Sequence, residues 1–188
     1  MSSMNKINVT TDHDRVVLVD ENDKELGTMA KMEAHEKGLL HRAFSVFVFN
    51  GNGELLLHKR ASDKYHCSGM WTNTCCSHPR PGEKVKAAAQ RRLQEEMGFS
   101  CNLVPAFEFV YQSKLDNNLS EHEYDHVFLG EFDSKPNPNS GEVEDWEFMR
   151  IDKIRSLLEK NPEMFTPWFK IVFERVLKHR SESPNLIN

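Results

Sequence analysis

The chain has 188 residues, of which 38% are hydrophobic and 28% charged, with a net charge of −5 and a pI near 6.0. A chain of this length buries roughly 70% of the surface it exposes when unfolded, so one core suffices without disulfides or a structural metal. This profile argues against a disordered, collagen-like or membrane-spanning chain, and its acidic balance gives no electrostatic case for nucleic acid or an anionic membrane.

Residues 1–14 are polar, lack the apolar run of a secretory signal, and are expected as a tail. A cytoplasmic location follows as the expectation, with the four cysteines as reduced thiols rather than a framework. Arg15–Val19 and residues 25–29 flank an Asp20-Glu-Asn-Asp23 turn and predict a hairpin. A short helix over 30–37 is expected to stop at Gly38. His41–Phe49 and residues 54–60 are rich in Phe, Val and Leu and are separated by Asn50-Gly-Asn-Gly53, a second hairpin signal. Residues 61–82 form a long connection, and structureless segments of that length are usually functional.

The clearest helix spans 83–97, closed by Gly98. Strands are expected at 104–111 and 123–132 around Asp116-Asn-Asn118, and at 143–150 after a Pro- and Asn-rich loop over 135–141. Helices near 151–160 and 163–178 follow, leaving 181–188 as a second tail and 15–180 as a single domain. The mixture of hairpins and helices predicts a mixed sheet covered by helices on both faces.

Three segments carry chemistry. On the helix over 83–97, Val85, Ala89, Leu93 and Met97 line one arc, with Arg92 and Glu96 at its edge, four residues apart. They read either as a solvated pair or as a guanidinium and carboxylate facing a site, and Glu95 beside Glu96 adds oxygen ligands suited to a hard cation. In Asn73-Thr-Cys-Cys-Ser-His-Pro79, Cys76 and His78 project to one side of an extended segment, and a thiol can act as acid or base. In Glu121-His-Glu123 the two carboxylates share one face, either as a solvated acidic edge or as ligands. Joined by His35, His41 and His78, they would offer five N/O donors with one position open, suited to Mn, Fe, Mg or Zn. Cys67, Cys75, Cys76 and Cys101 lack the paired spacing of a structural zinc site.

His41-Arg-Ala-Phe-Ser45, Trp71-Thr-Asn-Thr-Cys-Cys-Ser-His-Pro79, Arg91-Arg-Leu-Gln-Glu-Glu-Met-Gly98, Glu121-His-Glu123 and Thr166-Pro-Trp168 together resemble the type I isopentenyl-diphosphate isomerases, over residues 15–178. The resemblance implies the Nudix fold, an α/β (α+β) architecture with a mixed β-sheet sandwiched between α-helices. Arg91, Glu95 and Glu96 stand where the Nudix box has them. Arg92 replaces a carboxylate of the hydrolases, Ser77 the first glycine, and Phe99 fills the final aliphatic place.

The resemblance further implies conversion of isopentenyl diphosphate to dimethylallyl diphosphate by protonation and deprotonation. It assigns Cys76 and Glu123 as the acid/base pair, assisted by Tyr111. It makes His35, His41, His78, Glu121 and Glu123 the ligands of one divalent metal (Mn2+, Mg2+ or Zn2+). Glu96, with the Cys76 carbonyl, would hold a second, diphosphate-bridging Mg2+. Lys31, Arg60, Lys64 and Arg92 are implied to bind the diphosphate, and Trp71 and Trp168 to wall the hydrocarbon pocket. The expected partner is a small allylic or homoallylic diphosphate, with neither nucleic acid nor membrane, and the expected state a monomer or weak dimer. A terminal segment is expected to close over the pocket. The competing readings are a Nudix hydrolase of a nucleoside diphosphate derivative and an inactive binding protein that kept the fold.

Overall fold

The structure, a computed structural model, describes residues 14–64 and 66–182; positions 1–13 and 183–188, most of the two expected tails, lie outside it. β1 (Arg15–Val19) and β2 (Glu25–Ala30) form the first expected hairpin. α1 (Lys31–Lys37) follows directly and stops at Gly38, whose φ of 62° is left-handed backbone that carries no Cβ penalty in glycine. β3 (His41–Phe49) is buried along nearly its whole length. Phe44, Val46 and Val48 face one core cluster, while Phe47 and Phe49 face the other. A strand covered on both faces reads as a near-continuous apolar run, as residues 43–49 do apart from Ser45, whose hydroxyl donates to buried Asp125 at 2.7 Å.

β4 (Leu55–Arg60), β5 (Trp71–Thr72) and β6 (Cys75–Ser77) come next, then α2 (Val85–Met97). The long connection therefore holds two short strands. β7 (Val104–Lys114) and β8 (Ser120–Glu131) are joined through a 3-10 turn at Asp116–Asn118 and run longer than the sequence predicts. β9 (Val143–Met149), α3 (Ile151–Lys160) and α4 (Pro167–Glu182) complete the described chain. α2 lies on one side of the mixed sheet, packing Leu93 and Met97 against Phe44 and Val46. α3 and α4 lie on the other, packing Ile154, Phe169 and Phe173 against Phe47 and Phe49. The sandwich of sheet between helices is the expected one. Among the described residues no helix is long and apolar enough to cross a membrane.

Two elements differ from expectation. The second hairpin opens after a single register pair, Phe49 with Leu55. Asn50 does close the reversal, accepting at Oδ1 from the backbone of Glu54 at 2.9 Å. Beyond it β4 leaves to pair with β9 and β5, while β3 pairs in parallel with β8 over nine positions. Turn chemistry fixes where the chain reverses, but a strand apolar on both faces takes its partner from the rest of the sheet. The last helix begins at Pro167 instead of residue 163. Pro162–Met164 form a 3-10 turn, and buried Phe165 bridges to Trp71, whose carbonyl accepts from Thr166 N–H at 3.0 Å. That extended step ends at Pro167, a residue pre-set for a first helical turn. The helix then runs to Glu182, into the segment expected as tail.

Gly98 sets how the loop over 135–141 meets α2. Its φ is 72°, and a Cβ there would stand 2.0 Å from the Asn137 carbonyl oxygen. That close approach lets Asn137 and Asn139 donate backbone N–H groups to the carbonyls of Met97 and Glu96, at 3.0 and 2.9 Å.

His58 tests the core. It is fully buried, its Nδ1–H donates to the Thr74 carbonyl at 3.0 Å, and burial pushes its pKa from 6.5 down to about 4. Between these values the unfolded chain holds the extra proton, so stability rises with pH across that window. From pH 7 to pH 5 this group alone is expected to remove about 2 kcal/mol. Urea unfolding of the parent and His58→Gln at both pH values checks it: the variant should lose less, and an equal loss excludes His58 as the cause.

Candidate active site

The site forms where β3, β7 and β8 run side by side. The parallel ladder sets His41 beside Glu123, and the antiparallel ladder sets Tyr111 opposite the same residue. Along β8 the period of two turns Glu121 and Glu123 inward and His122 outward, where His122 Nδ1–H donates to the Gly38 carbonyl at 3.0 Å. His35 arrives from α1, and His78 from the chain just after β6. One ligand atom from each of His35, His41, His78, Glu121 and Glu123 lies within 4.8 Å of all the others.

The hydrogen bonds around these rings fix which nitrogen faces inward. His35 Nδ1 lies 2.7 Å from the Lys31 carbonyl and His41 Nδ1 lies 2.8 Å from the Leu39 carbonyl. A carbonyl only accepts, so both Nδ1 atoms carry a proton, and in the neutral rings that leaves the Nε2 lone pairs to face the cluster. There His35 Nε2 is 3.2 Å from Glu121 Oε2, and His78 Nε2 is 2.9 Å from Glu123 Oε1. Inward lone pairs on imidazoles beside two carboxylates are the chemistry of a divalent cation site. Burial opposes a charge on His35, yet the Glu121 carboxylate raises it overall. Burial drives His78 well below its ordinary value. It also works against ionised Glu123, but the His41 ring and the hydrogen bonds of Glu121 and Tyr111 bring that carboxyl down to about 2.

A cavity of about 360 Å³, its open mouth included, lies against this cluster and is lined by Cys76, Glu123, Tyr111 and Trp168, with Lys31 and Arg60. Tyr111 Oη donates to Glu123 Oε2 at 2.5 Å, and burial pushes the phenol well up. Burial likewise pushes up the Cys76 thiol. The cavity therefore presents a neutral thiol and a neutral phenol to an ionised carboxylate. Cys75 faces the other way, into the core beneath α2.

A buried polar chain holds these walls. Trp168 Nε1–H donates to Asn73 Oδ1 at 3.3 Å, and Asn73 Nδ2 donates to the carbonyls of Cys75 at 2.7 Å and Val46 at 3.2 Å. Arg60 lies over the Trp168 ring with its guanidinium carbon 5.5 Å from the centroid.

A second, strongly basic cavity shares Lys31, Ser77 and His78 with the first and adds Lys64, Arg80, Arg91 and Arg92. Arg92 donates to Glu96 at 2.5 Å and to Glu142 at 3.2 Å, and Lys64 also donates to Glu142. Burial pushes the Glu96 carboxyl up against the pull of Arg92. Glu96 thus lies beneath Arg92, apart from the five donors. Glu95 is exposed and pairs with Arg91 and Arg92, sharing the Arg92 guanidinium with buried Glu96. Trp71 is half-buried on β5, packed on the core, and lines neither cavity.

Reading the sequence missed two charged or polar side chains here. His66 stands 3.3 Å from Glu121 Oε1, and Glu142 bridges Lys64 and Arg92. Neither has a telling spacing to the motifs; residue 142 reaches α2 through the loop contacts beside Gly98 and the backbone bond from Ala61 to Glu142. Asn73 was visible as part of the motif, but its role as a brace was not.

Residues 39–169 match the NUDIX domain family. A protein of Photorhabdus laumondii named isopentenyl-diphosphate Delta-isomerase 2 is 53% identical, over 82% of this chain and 88% of its own. The isopentenyl-diphosphate Delta-isomerase of Pectobacterium atrosepticum is also 53% identical, over 86% of this chain and 90% of its own. The chain belongs to the Nudix-type isopentenyl-diphosphate Delta-isomerase family. Among solved structures, a protein of Deinococcus radiodurans superposes with a TM-score of 0.72 at 18% identity, covering 86% of this chain and 98% of the other, which shows the fold. The Nudix fold of this isomerase family thus carries a His/Glu cluster able to hold a metal, beside a cavity rather than in a closed core.

Protein loaded with Mn2+ and freed of excess is expected to retain the ion, and His41→Ala to weaken its binding at least ~10-fold. Elemental analysis after dialysis measures both; unchanged retention in the variant would exclude the cluster as the binding place.

Proposed function

We propose that this chain isomerises isopentenyl diphosphate to dimethylallyl diphosphate, a step of isoprenoid biosynthesis. The observation that carries the reading is one cavity bearing a neutral Cys76 thiol, an ionised Glu123 carboxylate and a Trp168 wall, beside a basic chamber. The reaction adds a proton to the terminal methylene and removes one from the methylene two carbons away. An alkene is a weak base, so the path runs through a tertiary carbocation. It needs a proton donor on one side of the tail, an acceptor on the other, and no water between.

In this reading Cys76 and Glu123 are the two proton-handling groups, and Tyr111 shares its proton with Glu123. The indole of Trp168 offers its face to the cation, worth about 2 kcal/mol when desolvated. Lys31, Arg60, Lys64 and Arg92 hold the diphosphate, whose binding energy orients the reacting tail. We place one divalent ion on His35, His41, His78, Glu121 and Glu123, where it would tune the basicity and orientation of Glu123. A diphosphate-bridging Mg2+ is assigned to Glu96 and the Cys76 carbonyl, oxygen donors suited to a hard cation. Trp71, expected as a second wall of the hydrocarbon pocket, lines neither cavity and instead supports the segment before Trp168 through its bridge to Phe165. The chain is taken to act as a monomer or weak dimer, since all five metal donors come from a single chain. A cytoplasmic location fits its free thiols. Hydrolysis is the weaker reading: Arg92 occupies the place of a Nudix-box carboxylate, which leaves one oxygen donor fewer for a hydrolytic metal cluster.

Incubation with isopentenyl diphosphate and Mg2+ in deuterated water is expected to give dimethylallyl diphosphate carrying deuterium. Cys76→Ala and Glu123→Gln should each lower turnover by about 10² or more. Near-parental turnover in either would overturn the two-sided proton transfer. Arg92→Glu is expected to raise KM for the diphosphate, measured with the same product assay; an unchanged KM removes Arg92 from the phosphate clamp.

A further inference from the structure

One buried imidazole at the cavity has no part in the roles above. His66 follows β4, is 6% exposed, and lines the cavity that holds Cys76 and Glu123. It stands outside the five donors but reaches one of them, with Nε2 3.3 Å from Glu121 Oε1. The other oxygen of that carboxylate, Oε2, faces His35 Nε2 at 3.2 Å. Glu121 therefore faces an imidazole at each oxygen, Oε2 within the cluster and Oε1 outside it. Glu123 shows the same division: Oε1 meets His78 within the cluster, and Oε2 accepts from Tyr111 outside it.

The His66 ring is itself fixed. Its edge meets the Trp168 indole, with centroids 6.0 Å apart and planes at 85°, and it stacks beside His35 at 6.0 Å. Its backbone carbonyl accepts from Arg60 Nη2 at 3.3 Å. Two ring contacts and one backbone bond thus place the imidazole, with Nε2 facing Glu121 Oε1.

We infer that His66 is a positioning residue for the metal: its Nε2–H, donated to Glu121 Oε1, keeps that carboxylate monodentate, with Oε2 alone offered to the ion. A carboxylate free to rotate can chelate through both oxygens and fill the position that five single donors leave open. A hydrogen bond to one oxygen prevents this, and outer partners of this kind typically change metal affinity 10–100-fold. The inference rests on the metal reading of the cluster, and its test separates the two.

Mn2+ is titrated by calorimetry into metal-free parent, His66→Phe, His66→Gln and Glu121→Gln. Phenylalanine keeps the ring against Trp168 and removes the donor, while the glutamine amide restores an N–H near Nε2. Expected are an affinity loss of about 10-fold or more in His66→Phe, recovery to within a few-fold in His66→Gln, and metal-free melting temperatures matching the parent. At saturating Mn2+ the turnover of His66→Phe should return towards the parental value with KM for isopentenyl diphosphate unchanged, which a merely structural role would not produce. If Glu121→Gln loses affinity and His66→Phe does not, the inference alone falls. A loss in His66→Phe that glutamine does not recover also overturns it, because the ring would then act as a ligand or a packing element. If Glu121→Gln binds Mn2+ as the parent does, the metal reading of the cluster falls with it.

Discussion

The parallel ladder between β3 and β8 is the constraint on which the site depends. It runs over nine register pairs, from His41 with Glu123 to Phe49 with Glu131. Its far end is apolar and buried on both faces, so the register is locked by packing. Its near end carries the functional groups. A slip of one residue would turn Glu121 and Glu123 out of the cluster and bring His122 in. The hydrophobic core therefore acts as the ruler that places two carboxylates beside an imidazole and a phenol.

Around that ladder, polar side chains are held by other polar groups instead of by apolar packing. Asn73 ties the carbonyls of Val46 and Cys75 to the Trp168 indole, so the thiol-bearing strand and the aromatic wall move as one unit. The Nδ1–H groups of His35 and His41 are held by nearby backbone carbonyls, which leaves Nε2 as the atom that could ligate an ion. Burial then sorts the titratable groups of the cavity by charge. It keeps the Cys76 thiol and Tyr111 phenol neutral, while hydrogen bonds hold Glu123 ionised against the same burial.

The basic chamber is built differently. Its cations come from β1, from α1, from the connection after β4, from the loop after β6 and from α2, and Lys64, Arg91 and Arg92 are paired to acids. Glu142 takes both Lys64 and Arg92, while Glu83 takes Arg91. Such pairs hold long side chains in place, and in the proposed function an incoming diphosphate would exchange one set of anionic oxygens for another.

Much of this was legible in the chain itself. Local signals fixed the hairpin at β1–β2, the stops at Gly38 and Gly98 and the inward face of β8, because turn residues and period-two alternation act over a few positions. The motif around Asn73-Thr-Cys-Cys-Ser-His-Pro79 and the five His and Glu residues were likewise visible as residue types able to do this chemistry. Strand partnership was not: the Asn50–Gly53 reversal suggested that β3 stays with β4, and only the competition among buried strands gives β3 to β8. The same holds for His66 and Glu142, whose sequence neighbours say nothing of Glu121 or Arg92. By itself the sequence determined which groups are present and where the backbone turns. The tertiary structure decided which of them meet, because convergence of distant side chains is set by register and packing across the whole sheet.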